Sequence, residues 1–178
     1  MYRKPLFELL ENYEPVFLEE KLYKRNMLDF LRANEDCFER SLRIGHFTGS
    51  AWIIDYDNSN FLLTHHKKLG IWVQLGGHAD GCSNIVKVAE KEAFEESGLE
   101  SLKLVSSEIF DIDVHKIPKY KDIPEHFHYD VRFLLKVSDK NDFIKISNES
   151  LDLKWFDKAP PYASSSIIRM FEKWKKFG

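Results

Sequence analysis

A chain of 178 residues, 43% hydrophobic and 31% charged, carries enough apolar material for one buried core with an extension and is short for two. Its net charge of −3 supplies no basic excess for neutralising phosphates, which argues against general nucleic-acid binding, and no apolar run reaches the length of a membrane-spanning helix. Cys37 and Cys82 show no disulfide framework and are read as free thiols, and the first residues lack an apolar signal segment, so a cytoplasmic location is the expectation.

In chain order, residues 5–13 and 16–33 are expected to be helical, with Leu6, Leu9 and Leu10, then Leu22, Met27, Leu28 and Leu31, at three- and four-residue spacing. A short third helix is expected at 37–42, and the helical region stops near Gly45. Residues 1–45 are therefore read as a helical extension capping a main domain at 46–178; the alternative is a substrate lid or homodimer surface. The pattern then changes to strands. Residues 51–55 and 61–64 flank turn residues and predict a hairpin, and 71–75 is apolar and short enough for a central strand. It leads directly into Gly76-Gly77.

The helix expected from Ser83 to Ser97 carries Glu92, Glu95 and Glu96 within one sector, while Ile85, Val86, Ala89, Ala93 and Phe94 supply an apolar stripe. Gly98 is placed to cap it. Like charges at this spacing repel, and the C-terminal half of a helix disfavours anions. A hard cation reverses both penalties, because clustered carboxylate oxygens are what Mg²⁺ or Mn²⁺ select.

Beyond the helix, 102–105 and 107–114 are expected as strands, and 115–124, lysine-rich with two prolines, as a loop or flap. From 125 to 135 the residues alternate: His126, His128, Asp130 and Arg132 point to one side, Phe127, Tyr129, Val131 and Phe133 to the other. That row is either the polar face of a half-buried strand or a cleft lining beside the acidic helix, with Arg132 holding a pyrophosphate by a charge-assisted fork. A zinc site from two histidines and an aspartate suits the ligand types but lacks a nameable fourth ligand. Trp72 and Phe127 are read as core rather than base-stacking platforms. A strand through Trp155-Phe156 and a terminal helix beginning near 164–166, with Ile167, Met170, Phe171 and Trp174 as its apolar stripe, complete the chain.

The stretch from Gly77 to Leu99 resembles the signature of the Nudix hydrolases: Gly, five residues, Glu, seven residues, Arg-Glu, aliphatic, any, Glu-Glu, any, Gly, aliphatic. Gly77 takes the first position, Lys91-Glu92-Ala93-Phe94-Glu95-Glu96 the core and Gly98-Leu99 the end. Ser83 stands where the first Glu is expected and Lys91 where Arg is expected. The resemblance implies an α/β (α+β) fold, an α/β/α sandwich around a mixed β-sheet, and Mg²⁺-dependent (or Mn²⁺-dependent) cleavage of a nucleoside diphosphate linked to another moiety. It also implies Glu92, Glu95, Glu96 and the Gly77 carbonyl as metal ligands, and Glu149, before the Trp-Phe strand, as a candidate catalytic base beside the box glutamates. His78, His126, His128 and Arg132 are the substrate-binding candidates. Two alternatives stay open. A nucleotide-sensing module without hydrolysis is motivated by Ser83 and Lys91, and a prenyl diphosphate isomerase on the same fold would need a cysteine in the cleft, whereas Cys82 lies within the box.

Overall fold

The computed structural model describes residues 2–67, 69–148 and 150–177, with the backbone alone at 177. Helix α1 (Lys4–Asn12) opens on Pro5, whose fixed φ and missing N–H suit a first helical turn. Helix α2 (Leu18–Ala33) is anchored at its start by Glu20, whose carboxylate accepts the Val16 and Phe17 amides at 2.7 and 2.8 Å. Residues 34–44 then form turns, not the short helix expected at 37–42. The Cys37 and Phe38 side chains are buried, and their carbonyls accept the Phe47 and Gly81 amides at 2.8 and 3.0 Å. Tertiary bonds thus take the backbone groups that a helix would have used.

Strand β1 (Gly45–Ile54) starts well before the hairpin predicted at 51 and is buried along its whole length. It meets β2 (Phe61–His66) through only two pairs, Ile53 with Leu62 and Ile54 with Phe61. The expected central strand at 71–75 divides in two. Strand β3 (Trp72–Val73) pairs with β2, whereas β4 (Leu75–His78) runs antiparallel to β1. After helix α3 (Ile85–Ser97) come β5 (Leu102–Leu104), β6 (Asp111–Ile117), β7 (His126–Val137), β8 (Ser150–Phe156) and α4 (Ser165–Phe177). The segment expected as a loop at 115–124 is partly strand, because β6 extends to Ile117 and a bridge between Tyr120 and Ile123 tightens the connection into β7.

The eight strands make one mixed sheet. Strand β1 lies parallel to β7 over ten residue pairs, Gly45–Phe127 through Ile54–Lys136, and β6 pairs antiparallel with the other side of β7. Alternation sorts the side chains. Phe47, Ala51 and Ile53 join Val131, Phe133 and Leu135 in one cluster with α1, α2 and α3, while Trp52, Ile54, Phe61 and Leu63 pack with Ile167, Met170 and Trp174 of α4. This is a helix/sheet/helix sandwich whose N-terminal helices share the main core. No helix of the described residues is long and apolar enough to cross a membrane.

The second face also carries charge. Arg132, 2% exposed, donates to Asp130, Asp111 and Asp113 at 2.7, 2.9 and 3.0 Å and to Ser166 at 2.5 Å. Arg169 and Lys173 of α4 both reach Asp111, and Lys173 also binds Glu20 and Tyr13. The network therefore ties α2, β6, β7 and α4 together. Burial alone pushes the Asp111 carboxyl up, yet Arg169, Arg132 and Lys173 hold it down at about 2. Its stabilisation is present above the ordinary carboxylate range near pH 4 and is lost as pH falls towards 2. Asp111→Asn should cost about 3–5 kcal/mol at neutral pH and should flatten the loss of stability between pH 4 and 2, as read by urea unfolding at each pH.

Candidate active site

Helix α3 is bounded by local chemistry. The Asn84 side chain accepts the Lys87 amide at 3.2 Å, and Gly98 adopts φ 66 while its amide bonds the Phe94 carbonyl at 2.8 Å, a left-handed cap that glycine adopts without strain. Ile85, Val88, Ala89 and Ala93 are buried. Phe94, expected in that stripe, is 52% exposed, because it lies on the far side of the helix from the sheet.

What brings α3 down on the sheet is a cross-strand glycine pair. Gly49 of β1 faces Gly77 of β4 in register. A Cβ on Gly49 would sit 2.9 Å from the Ile85 carbonyl and 3.1 Å from the Ala89 nitrogen, both helix backbone, and one on Gly77 would run into the Glu92 carboxylate. The glycines leave room for the helix and for that carboxylate. Next to them the Gly76 amide donates to Glu96 at 3.2 Å, and Glu96 is 7% exposed. Glu95 reaches solvent. The Lys91 ammonium bridges Glu92 at 3.2 Å and Glu95 at 2.9 Å, and the hydrogen bonds it donates to Glu95 and then to Glu92 raise its pKa.

The structure thus gathers Glu92, Glu95, Glu96 and the Gly76-Gly77 backbone on one side of the sheet. Their chemistry fits a hard divalent cation: a glycine cradle receives one carboxylate, the carboxylates are oxygen donors, and a cationic side chain already bridges two of them. Glu149 lies outside the described residues. Ser83 is half-buried in the turn before α3, and Cys82, exposed, is a free thiol whose Sγ reaches the Asn84 carbonyl at 3.6 Å.

The alternating row of β7 sits elsewhere. Thr48, paired with His78, and Ser50 both donate to Asp130, at 2.8 and 2.7 Å, so His78, Asp130 and their neighbours at even positions of β1 and β7 occupy the face opposite Gly49, Gly77 and α3. The expectation that this row lines a cleft beside the acidic helix therefore differs from what is found. For Arg132 the reason is electrostatic: four of its five donors are taken by carboxylates and Ser166, which leaves no fork for a pyrophosphate. His126 and His128 instead meet His78 from β4, His46 from β1 and His115 from β6, with ring centroids 4.9–5.5 Å apart. Burial, and then the neighbouring charges, lowers the pKa of His46 and His78 to about 4 and of His128 to about 2, so these rings are neutral. His46 and His115 are not among the candidates that the sequence marks. Their signal is the even spacing of His46, Thr48 and Ser50, and of Asp111, Asp113 and His115, but only strand pairing shows that the rows converge. Trp72 is half-buried against the α4-side cluster, whereas Phe127 is 39% exposed.

No family model matches the chain, and no curated protein does. Solved structures do. A *Caenorhabditis elegans* Ap4A hydrolase is 16% identical over 74% of this chain and 96% of its own, with a TM-score of 0.55. A NUDIX-family hydrolase from *Clostridium perfringens* is 20% identical over 75% of this chain and 98% of its own, at 0.53. An ADP-ribose pyrophosphatase from *Streptococcus suis* is 19% identical over 73% and 89%, at 0.52. The chain has the Nudix hydrolase fold. The glycine pair makes a further distinction measurable: Gly49→Ala, which meets helix backbone, should cost about 1–3 kcal/mol in chemical denaturation, whereas Gly77→Ala, which meets only the end of a flexible side chain, should cost clearly less.

Proposed function

We propose that this protein is a Mg²⁺-dependent pyrophosphohydrolase that cleaves a nucleoside diphosphate linked to another moiety, or a related nucleotide. The observation that carries the reading is the seating of Glu92, Glu95 and Glu96 beside the Gly76-Gly77 corner, where one carboxylate lies in the space a Cβ would fill and another accepts a backbone amide. The names of two structural relatives, an Ap4A hydrolase and an ADP-ribose pyrophosphatase, support a substrate in which a nucleotide is joined through phosphates to a second group. Glu92, Glu95 and Glu96, with the Gly77 carbonyl, would hold Mg²⁺, or Mn²⁺ in its place. When bound, the cation supplies charge neutralisation on the diphosphate and activation of water.

The chain's own residues have separate tasks in this reading. Glu96 is oriented by the Gly76 amide and Glu92 by its contact with Gly77, so these two carboxylates are positioned before any ligand arrives. Glu95, bridged to Lys91 at the solvent edge, takes the proton of the attacking water as general base, with Glu149 the second candidate. Lys91 holds Glu92 and Glu95 apart from each other's charge by standing between them. It does so as a point charge, without the bidentate fork of an arginine.

The test is a panel of dinucleoside polyphosphates, nucleoside diphosphate sugars and nucleoside triphosphates, assayed with Mg²⁺ and Mn²⁺ for release of phosphate or nucleoside monophosphate. Wild-type protein should turn over at least one class, and Glu95→Gln or Glu96→Gln should lower kcat by about 100-fold or more. Gly77→Ala should lower kcat while leaving the fold intact. Turnover retained in both glutamine variants would remove the carboxylates from the mechanism.

A further inference from the structure

Five of the seven histidines in the chain meet on the sheet face opposite α3, and the carboxylate chemistry uses none of them. We propose that His46, His78 and His128 form a second metal site, one for a divalent transition ion of the zinc type, separate from the carboxylates of α3.

The geometry is contributed by three strands. His46 of β1 and His128 of β7 are direct register partners, and His78 of β4 faces Thr48, two residues along β1 from His46. Each ring offers a nitrogen, and the three nitrogens lie within 4.8 Å of one another. Tetrahedral zinc, with Zn–N of about 2.0–2.1 Å, needs nitrogens about 3.3 Å apart, a contraction that small side-chain rotations provide. The backbone already delivers the ligands to one point.

The second observation is what those nitrogens lack. His46 is 3% exposed, yet neither of its ring nitrogens has a hydrogen-bond partner, and the Nε2 of His128 is also buried and unpartnered. The Leu42 carbonyl acts on the His46 ring as a nearby dipole without hydrogen-bond geometry. Buried polar atoms are ordinarily satisfied, and a neutral imidazole has a single acceptor nitrogen, so one lone pair from His46 and one from His128 lack a partner. A metal ion supplies it and takes a third lone pair from His78, whereas a water has only two hydrogens to give.

Ligand type selects the ion. Neutral imidazoles suit zinc, copper and nickel, whereas magnesium prefers the oxygens of α3. The Nδ1 of His126 lies 2.9 Å from the Pro124 carbonyl, which orients that ring beside His46 and His128 with centroids 5.1 and 5.2 Å away. Its other nitrogen is a candidate fourth ligand. Asp130, which suits a ligand by type and neighbours His128 in the alternating row, is instead held by Thr48, Ser50, Gln74 and Arg132.

The experiment titrates chelator-stripped full-length protein with Zn²⁺ and, for its visible spectrum, Co²⁺. Wild-type protein should bind one equivalent with histidine ligation, give tetrahedral Co²⁺ absorption and gain thermal stability with Zn²⁺. His78→Gln and His128→Gln should each weaken Zn²⁺ binding by about 100-fold or more, whereas His65→Gln, on β2, and Glu95→Gln should bind as wild type does. Should the histidine variants fail to fold, imidazole ¹⁵N shifts in the wild-type protein decide the matter: Zn²⁺ should move those of His46, His78 and His128. The proposal is overturned if wild-type protein takes up no Zn²⁺ at micromolar concentration, if folded histidine variants keep full affinity, or if binding follows the glutamates. None of these readouts depends on hydrolysis.

Discussion

The approach of α3 to the sheet is the constraint on which the rest of this protein depends. A helix normally rests on a sheet with two layers of side chains between the backbones, about 10 Å apart. Here Gly49 and Gly77, paired across β1 and β4, remove one of those layers at a single point, and the helix backbone at Ile85 and Ala89 descends into the gap. That descent places Glu92 against the Gly77 backbone and brings Glu96 within reach of the Gly76 amide. A carboxylate cluster that would otherwise be a solvated stripe becomes a fixed site. Because β1 is also the strand that pairs with β7 for ten residues, the position of the helix is referred to the centre of the sheet.

The opposite face solves a different problem. It has to accommodate Arg132, Arg169 and Lys173, all nearly inaccessible to water, and it does so by surrounding them with Asp111, Asp113, Asp130 and Glu20. Buried ion pairs are poor sources of net stability, but removal of one partner leaves an uncompensated charge. The arrangement therefore specifies how α2 and α4 sit on β6 and β7 more than it strengthens the fold. It also accounts for the side chains of that face: towards α4 they are charged and mutually paired, and towards the amino end of β1 and β7 they are histidines, of which His46 and His128 are neutral and in part unpaired. The two halves are continuous, since Asp113 lies 3.4 Å from the His115 ring.

Much was legible along the chain where the information is local. The acidic helix, its glycine cap and the glycine corner before it follow from spacing and from the special backbone freedom of Gly98, and the alternation in 126–133 named both faces of β7 correctly. Two of the errors share a physical origin. Residues 37–42 have a helical pattern but spend their carbonyls on Phe47 and Gly81; 71–75 reads as one strand but is divided between two partners; Phe94 looks apolar and faces outwards. In the first two cases the competing interaction lies outside the segment itself, in the strands and turns that it meets.

Local pattern determined the four helices, which residues of 126–133 share a face and that three carboxylates lie together on α3, because those properties depend on the 3.6- and two-residue periods of the backbone. Strand pairing decided the rest. Which face of β7 meets α3, why Arg132 is enclosed by aspartates, and that His46 and His78 come to lie beside His128 all depend on registers between β1, β4, β6 and β7. A register shift of one residue would exchange the two faces, and no period within a single segment carries that information.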